Sequence, residues 1–370
     1  MSDTEFALAW PRDLFVSEAT RILGVPNPQN FDGMAQQLLI EAFKDEDILH
    51  AYTAETGPQY EWDASPTVTK PPTKRQWLTA LVRDGSRLAP FRRPDYWATR
   101  NGLVPERKRL ETTSGQLAFT RAFEMQISEL ASAGYFPKIL PTKCFDDEEA
   151  ILLSDVAIKL TDAIGTNVNW PLTGDHLGPV PDPILFSLIE YFHDQSQRPR
   201  TSSEHKYCGL HFHTFNRAAG EDVYRWKLNR LLETYNIHLR MGAIGAEQGR
   251  LVKHFGTPLD SLADAQIETR ATRPEDEVAE AIRGFRSRDA TLALKRASLA
   301  LLAGDLERRR AEVKKALLTR DEADLFQIAN QFAIRHRKDD QKDDYRAEYL
   351  DWIFWSYLST VALMDSLTAE

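Results

Sequence analysis

The chain has 370 residues, 42% hydrophobic and 27% charged, with a formal net charge of -9. That is enough length for two or three domains with their own cores, and the composition excludes a disordered protein. Two cysteines, Cys144 and Cys208, exclude a disulfide scaffold, and the acidic balance means that any nucleic-acid site must be a local basic patch. No run approaches the roughly 18 apolar residues of a membrane helix. The opening Met1-Ser-Asp-Thr-Glu5 lacks the order of a signal peptide, so a cytoplasmic chain with no membrane partner is expected.

In chain order, Pro11 to Leu23 and Phe31 to Tyr52 read as helices separated by Pro26 and Pro28, with Asn30 or Asp32 as the cap of the second. Leu38, Leu39, Ala42, Phe43 and Ile48 suit one buried face. A Gly- and Pro-rich passage from Gly57 to Pro72 then enters Lys74 to Val82, completing an N-terminal helical module over residues 1–105. Lys74, Arg75, Arg92 and Arg93 lie near Trp77, Tyr96 and Trp97. They form either a face for stacked bases and phosphates or core aromatics beside solvated cations.

A middle α+β module is expected over 106–270. Gly115 to Ala133, Ile151 to Ile164 and Ile184 to His193 carry helical spacing. The densest group of metal-capable side chains follows: His193 and Asp194, then His205, Cys208, His211 and His213. The last four are ligand types that zinc accepts, and strand alternation puts His211 and His213 on one side. The paired knuckles of a common zinc module are missing, and packing with hydrogen bonding is the other reading, so no metal or cofactor is assigned. Glu221 to Tyr235 reads as a helix. Ile237 to Met241, the Gly242 to Gly249 turn and Arg250 to Phe255 read as a hairpin. A helix and a basic-tipped hairpin outline a winged helix, which would touch nucleic acid through Arg240, Arg250 and Lys253, or a plain packing unit.

Residues 271–370 predict an antiparallel helical bundle. Thr272-Arg-Pro274-Glu275 has the features of a helix start, and helix continues to Leu318 in two pieces around Ser287 to Asp289. Leu294, Ala297, Leu301 and Leu302 are the expected core face of the second piece; Arg308 to Arg310, Lys314 and Lys315 point to solvent or to a phosphate. Asp321 caps a helix in which Leu325, Ala329, Phe332 and Ala333 form a stripe that includes His336, with Arg335 on its flank. The last helix, Tyr349 to Leu367, is apolar on nearly every side and so is wrapped by other helices or by a second copy of the chain. Asp351 in its first turn could partner Arg335 or His336, or simply face the helix dipole. The expected fold is mainly α and multi-domain, with a small helix-plus-β-hairpin middle module and the C-terminal bundle.

This pattern of four helices, a polar Arg335-His336 element closing the third, and an aromatic last helix resembles the HEPN ribonuclease domains of bacterial abortive-infection proteins of the AbiJ type. The resemblance covers roughly Thr272 to Glu370. The family signature is Arg, a polar residue, a short spacer and His. Here Arg335 and His336 match its first two positions, and Gln341 stands where the second histidine would fall. The resemblance implies metal-independent RNA cleavage across a homodimer interface, in anti-phage defence, with a phage-derived trigger or partner protein. Glutamine cannot take a proton from a ribose 2′-OH, so His336 becomes the expected base, with Arg335 on the phosphoryl oxygens and Asn330, Gln341 and Asp351 orienting. Arg337 and Lys338 are the adjacent phosphate contacts. The alternative is a non-catalytic nucleic-acid-binding or regulatory adaptor that dimerises through its bundle.

Overall fold

The computed structural model describes residues 5–26, 30–56, 71–90, 97, 101, 113–141, 153–174, 179–273, 275–317, 323–328 and 347–368. They are mainly helical, with three two-stranded sheets. The chain divides into two compact units, Met1–Lys227 and Leu228–Glu370. The boundary expected at 105/106 therefore falls inside the first unit and that at 270/271 inside the second.

In the first unit, β1 (Phe6–Leu8) pairs in parallel with β2 (Leu88–Pro90) beside α1 (Arg12–Gly24), α2 (Phe31–Ala42), α3 (Asp47–Thr56) and α4 (Lys74–Arg83). Asn30 caps α2, its side chain accepting the Gly33 N–H at 3.0 Å. Asp32 is spent elsewhere, on Gln36, Tyr52 and Lys74. Thr73 and Gln76 close a capping box on α4. Trp77 is buried and donates to Glu55, while Arg75 donates to the carbonyls of Leu23 and Val25. Of the two readings of this segment, Trp77 follows the core-aromatic one.

The same unit continues through α5 (Thr113–Ser132), α6 (Leu153–Ile164) and α7 (Asp182–Gln195) to a hairpin of β3 (Arg198–His205) and β4 (Gly209–Asn216), then enters α8 (Arg217–Thr234). A buried ionic network explains why residues on both sides of the expected 105/106 boundary fold together. Glu18 accepts from Arg198 Nη1 at 3.1 Å and Arg200 Nε at 2.9 Å; Glu41 accepts from Arg198 Nε at 3.0 Å and the Tyr135 hydroxyl at 2.8 Å. Arg198 is fully buried and also lies over Trp10. Charges removed from water in this way must be paired across the sequence, because a lone one costs several kcal/mol. Gly220, early in α8, lets the helix approach the Gln197 backbone; a Cβ there would sit 2.5 Å from Gln197 Cα.

The second unit contains the predicted hairpin, β5 (Leu239–Met241) antiparallel to β6 (Leu251–Lys253). Gly242 is required in its turn, since a Cβ would come 2.4 Å from the Glu247 carbonyl oxygen. Around it stand α9 (Thr257–Thr269), α10 (Glu277–Arg286), α11 (Leu292–Arg308), α12 (Arg310–Ala316) and α13 (Ala347–Thr368). The hairpin packs on the bundle: Phe255 meets Phe285 at 5.9 Å and Trp355 at 5.3 Å, and Ala263 and Ile267 of α9 join the same core. Ile244, Phe255, Leu259 and Leu262 also pack on this C-terminal core.

Three details differ from expectation. Asp276 caps α10, accepting from the N–H groups of Val278 and Ala279; a carboxylate that takes two helical N–H groups outcompetes the Thr272 start. The core face of α11 is Lys295, Ser298, Leu299, Leu302, Ala303 and Leu306, with Leu294 exposed, because the buried lysine rotates the stripe. The bundle is also not uniformly antiparallel. Glu277 at the start of α10 pairs with Arg308 at the end of α11, so those two run antiparallel. Lys295 and Arg309, at the two ends of α11, pair with Asp351 and Asp365 at the start and end of α13, so α11 and α13 run parallel.

Candidate functional site

Asn330, Arg335, His336, Arg337, Lys338 and Gln341 lie outside the described residues, and so do Ala329, Phe332 and Ala333 of the expected stripe. After them in sequence comes α13. Asp351 holds the ammonium group of Lys295. The counter-charge expected from Arg335 or His336 is supplied to this extent by a lysine from α11. Lys295 is buried, with its ammonium 4.9 Å from the centre of the Phe285 ring. Phe285 in turn stacks on Phe354 at 3.8 Å.

Lys253, at the end of β6, belongs to the same neighbourhood. Burial and the Lys295 charge lower its pKa, with Asp351 and Asp289 working in the opposite sense. Lys295 is the ion-pair partner of Asp351 at the N-terminal end of α13, and Lys253 is near enough to feel both charges. Tyr349 and Trp352 are half exposed on the same turns, and Leu363 and Leu367 extend an exposed stripe along the helix, while Leu350, Ile353, Phe354, Tyr357, Leu358 and Val361 face the core. On the outward side Ser356, Ser359 and Thr360 lie between Trp352 and Leu363. Lys295 escapes a reading in which the stripe is sought among apolar residues; a lysine in register with Leu299 and Leu302 is the signal that could have found it.

The other hairpin cations behave differently. Arg240 donates to both oxygens of Asp264, at 2.6 and 2.8 Å, and lies 3.5 Å from Asp260. Arg286, fully buried, donates to Asp264 at 3.0 Å and approaches Glu247 at 3.4 Å. Burial raises the Glu247 pKa in this crowd of carboxylates, against the pull of Arg286. The guanidinium of Arg240, a residue expected at a nucleic-acid contact, ties β5 to α9. Arg250 is exposed and donates to the Gly249 carbonyl at 3.1 Å.

The histidine-rich stretch also separates. His193 is buried in α7, its Nδ1 3.1 Å from Asp194 and its ring against Tyr224; burial lowers its pKa although Asp194 opposes the shift. His213 Nε2 lies 2.9 Å from the Ser203 hydroxyl. His205, Cys208 and His211 come together at the β3–β4 tip, with one potential ligand atom from each within 4.8 Å of the others. Comparisons with known proteins return no matching family model, curated protein or solved structure for this chain.

Proposed function

We propose that the C-terminal unit is a cytoplasmic, metal-independent endoribonuclease module of the abortive-infection type, acting as a homodimer. The observation that supports this reading is the half-exposed aromatic pair Tyr349 and Trp352 on the first turns of α13, beside the Lys295–Asp351 ion pair, in the helix that follows the Arg335-His336 segment in sequence. RNA recognition requires cations for phosphates and aromatic faces for unpaired bases; Tyr349 and Trp352 offer the second, and the proposed phosphate contacts are Lys253, Arg337 and Lys338. The exposed apolar stripe of α13 suits a second copy of the same helix.

In the proposed chemistry, neutral His336 takes the 2′-OH proton, the 2′ oxygen attacks the adjacent phosphorus, and the 5′ oxygen of the next nucleotide leaves as the P–O bond breaks. Arg335 neutralises charge growing on the phosphoryl oxygens, with Arg337 and Lys338 holding flanking phosphates. Asn330 and Gln341 orient the phosphate or the imidazole. In anti-phage defence such a module would be released by a phage-derived trigger.

Gln341 in place of a second histidine favours the adaptor reading, in which RNA is bound and left intact. Incubation of the full chain with labelled single-stranded RNA in excess chelator separates the two. Cleavage that disappears in Arg335→Ala and in His336→Ala supports the nuclease. Intact RNA, or equal cleavage by the variants, sinks it, and retarded but intact RNA selects the adaptor.

A further inference from the structure

We infer that the tip of the β3–β4 hairpin is a binding site for a single zinc ion, with His205, Cys208 and His211 as its protein ligands and one coordination position open. Three features of the hairpin build it. His205 and Gly209 form the last register pair of the two strands, and the Cys208 N–H closes the turn on the His205 carbonyl at 3.3 Å. Gly209 has φ +82°, a left-handed conformation that glycine adopts without strain, so the turn can reverse directly after the cysteine. His211 then lies one strand alternation beyond Gly209 and opposite Ser203, which brings its ring 5.1 Å from that of His205.

The donor geometry is close to what zinc demands. His205 Nδ1 and Cys208 Sγ are 3.1 Å apart, and the three donor atoms lie within 4.8 Å of one another. Ligand atoms on a tetrahedral zinc with Zn–N of about 2.0–2.1 Å and Zn–S of about 2.3 Å stand roughly 3.3–3.7 Å apart. Small rotations of side chains at an exposed tip cover the difference. His211 Nε2 is shielded from solvent with no hydrogen-bond partner, and a polar atom left in that state costs free energy that a metal bond would remove. His213, two residues further along, has its Nε2 at the Ser203 hydroxyl and stays out of the donor set.

One thiolate and two imidazoles, with no carboxylate among them, make a soft-to-borderline donor set that prefers zinc to magnesium or calcium. As the Zn–S bond forms, the Cys208 thiol releases its proton to solvent while both imidazoles coordinate in their neutral forms, so binding weakens on acidification. With three protein ligands, the fourth position takes water or an incoming donor atom.

Untagged full-length protein stripped with chelator is titrated with Co²⁺ and then challenged with Zn²⁺. The expected result is one ion per chain, a thiolate-to-cobalt charge-transfer band, and its loss when zinc displaces cobalt. Cys208→Ser should abolish the band, His211→Ala should weaken affinity by at least about tenfold, and His213→Ala should match the wild type. No saturable binding, an unchanged Cys208→Ser titration, or dependence on His213 in place of His211 overturns the site. X-ray absorption at the zinc edge of the wild type needs no variant to fold: one sulfur and two imidazole nitrogens support the assignment, and a sulfur-free shell contradicts it.

Discussion

The Arg240–Arg286 cluster and the tip of the β3–β4 hairpin both gather polar side chains beside a β-hairpin, yet their chemistry is opposite. Around Arg286, two guanidinium groups face Glu247, Asp260 and Asp264, so charge meets charge. At the tip, His205, Cys208 and His211 bring together donor atoms of types that bind a metal. Complementary charge holds a fold together, whereas convergent lone pairs invite a ligand. A basic residue near a turn is therefore weak grounds for a nucleic-acid contact until its carboxylate partners are known. Arg240 and Lys253 come from one hairpin and differ in this way.

The largest effect should come from breaking the charged cluster. Arg286→Ala leaves buried carboxylates without their partner and should cost about 3–5 kcal/mol in denaturant unfolding of the second unit. A loss under about 1 kcal/mol would mean that the cluster is solvated and that the contrast fails. Zinc at about 100 times its dissociation constant should stabilise the wild type by about 2.7 kcal/mol and leave Cys208→Ser unmoved, as read by thermal melting with and without metal. Lys253→Met should weaken RNA binding and lower the salt dependence by about one phosphate contact, while its melting temperature barely changes. Titration of His213→Ala should alter stability by no more than about 0.5 kcal/mol, as expected of an exposed side chain outside both clusters.

A pH series sharpens the contrast from a third position. Burial holds the His193 imidazole below its ordinary value of 6.5 in the folded chain, so on acidification the unfolded chain takes up the proton first. Stability of the first unit should accordingly be constant above that value and fall as the pH drops below it. In His193→Gln the fall should flatten; an unchanged slope would assign it to other groups.

Much of this architecture is legible in the sequence because apolar spacing is a local signal. The helix at 12–24, the Asn30-capped start of the helix at 31–42 and the hairpin at 239–253 follow from periodicity, capping and glycine placement. The helix expected from Phe31 to Tyr52 is instead two, Phe31–Ala42 and Asp47–Thr56, and that at 277–286 starts at Asp276 and not at Thr272. What escapes reading is non-local. Glu18 and Arg198 are separated by 180 positions, and nothing near either one marks the pair. The parallel course of α13 beside α11 is fixed by ion pairs between distant positions, and the face of α11 includes a buried lysine that a count of apolar residues passes over. β3, Arg-Pro-Arg-Thr-Ser-Ser-Glu-His, has no apolar alternation at all, so the hairpin that assembles the histidine and cysteine ligands could be seen only from its β4 side. For the candidate site, sequence supplies Lys253 and Asp351 but not the Lys295 that pairs with Asp351.

The proposed ribonuclease is tested most directly by the ends it leaves on RNA. Full-length chain incubated with a defined single-stranded RNA in chelator should yield fragments ending in a 2′,3′-cyclic phosphate, and a 2′-O-methyl group at the cleaved nucleotide should block the reaction. Fragments with 3′-hydroxyl ends, or cleavage that stops when chelator is added, would contradict a metal-independent attack by the ribose 2′ oxygen.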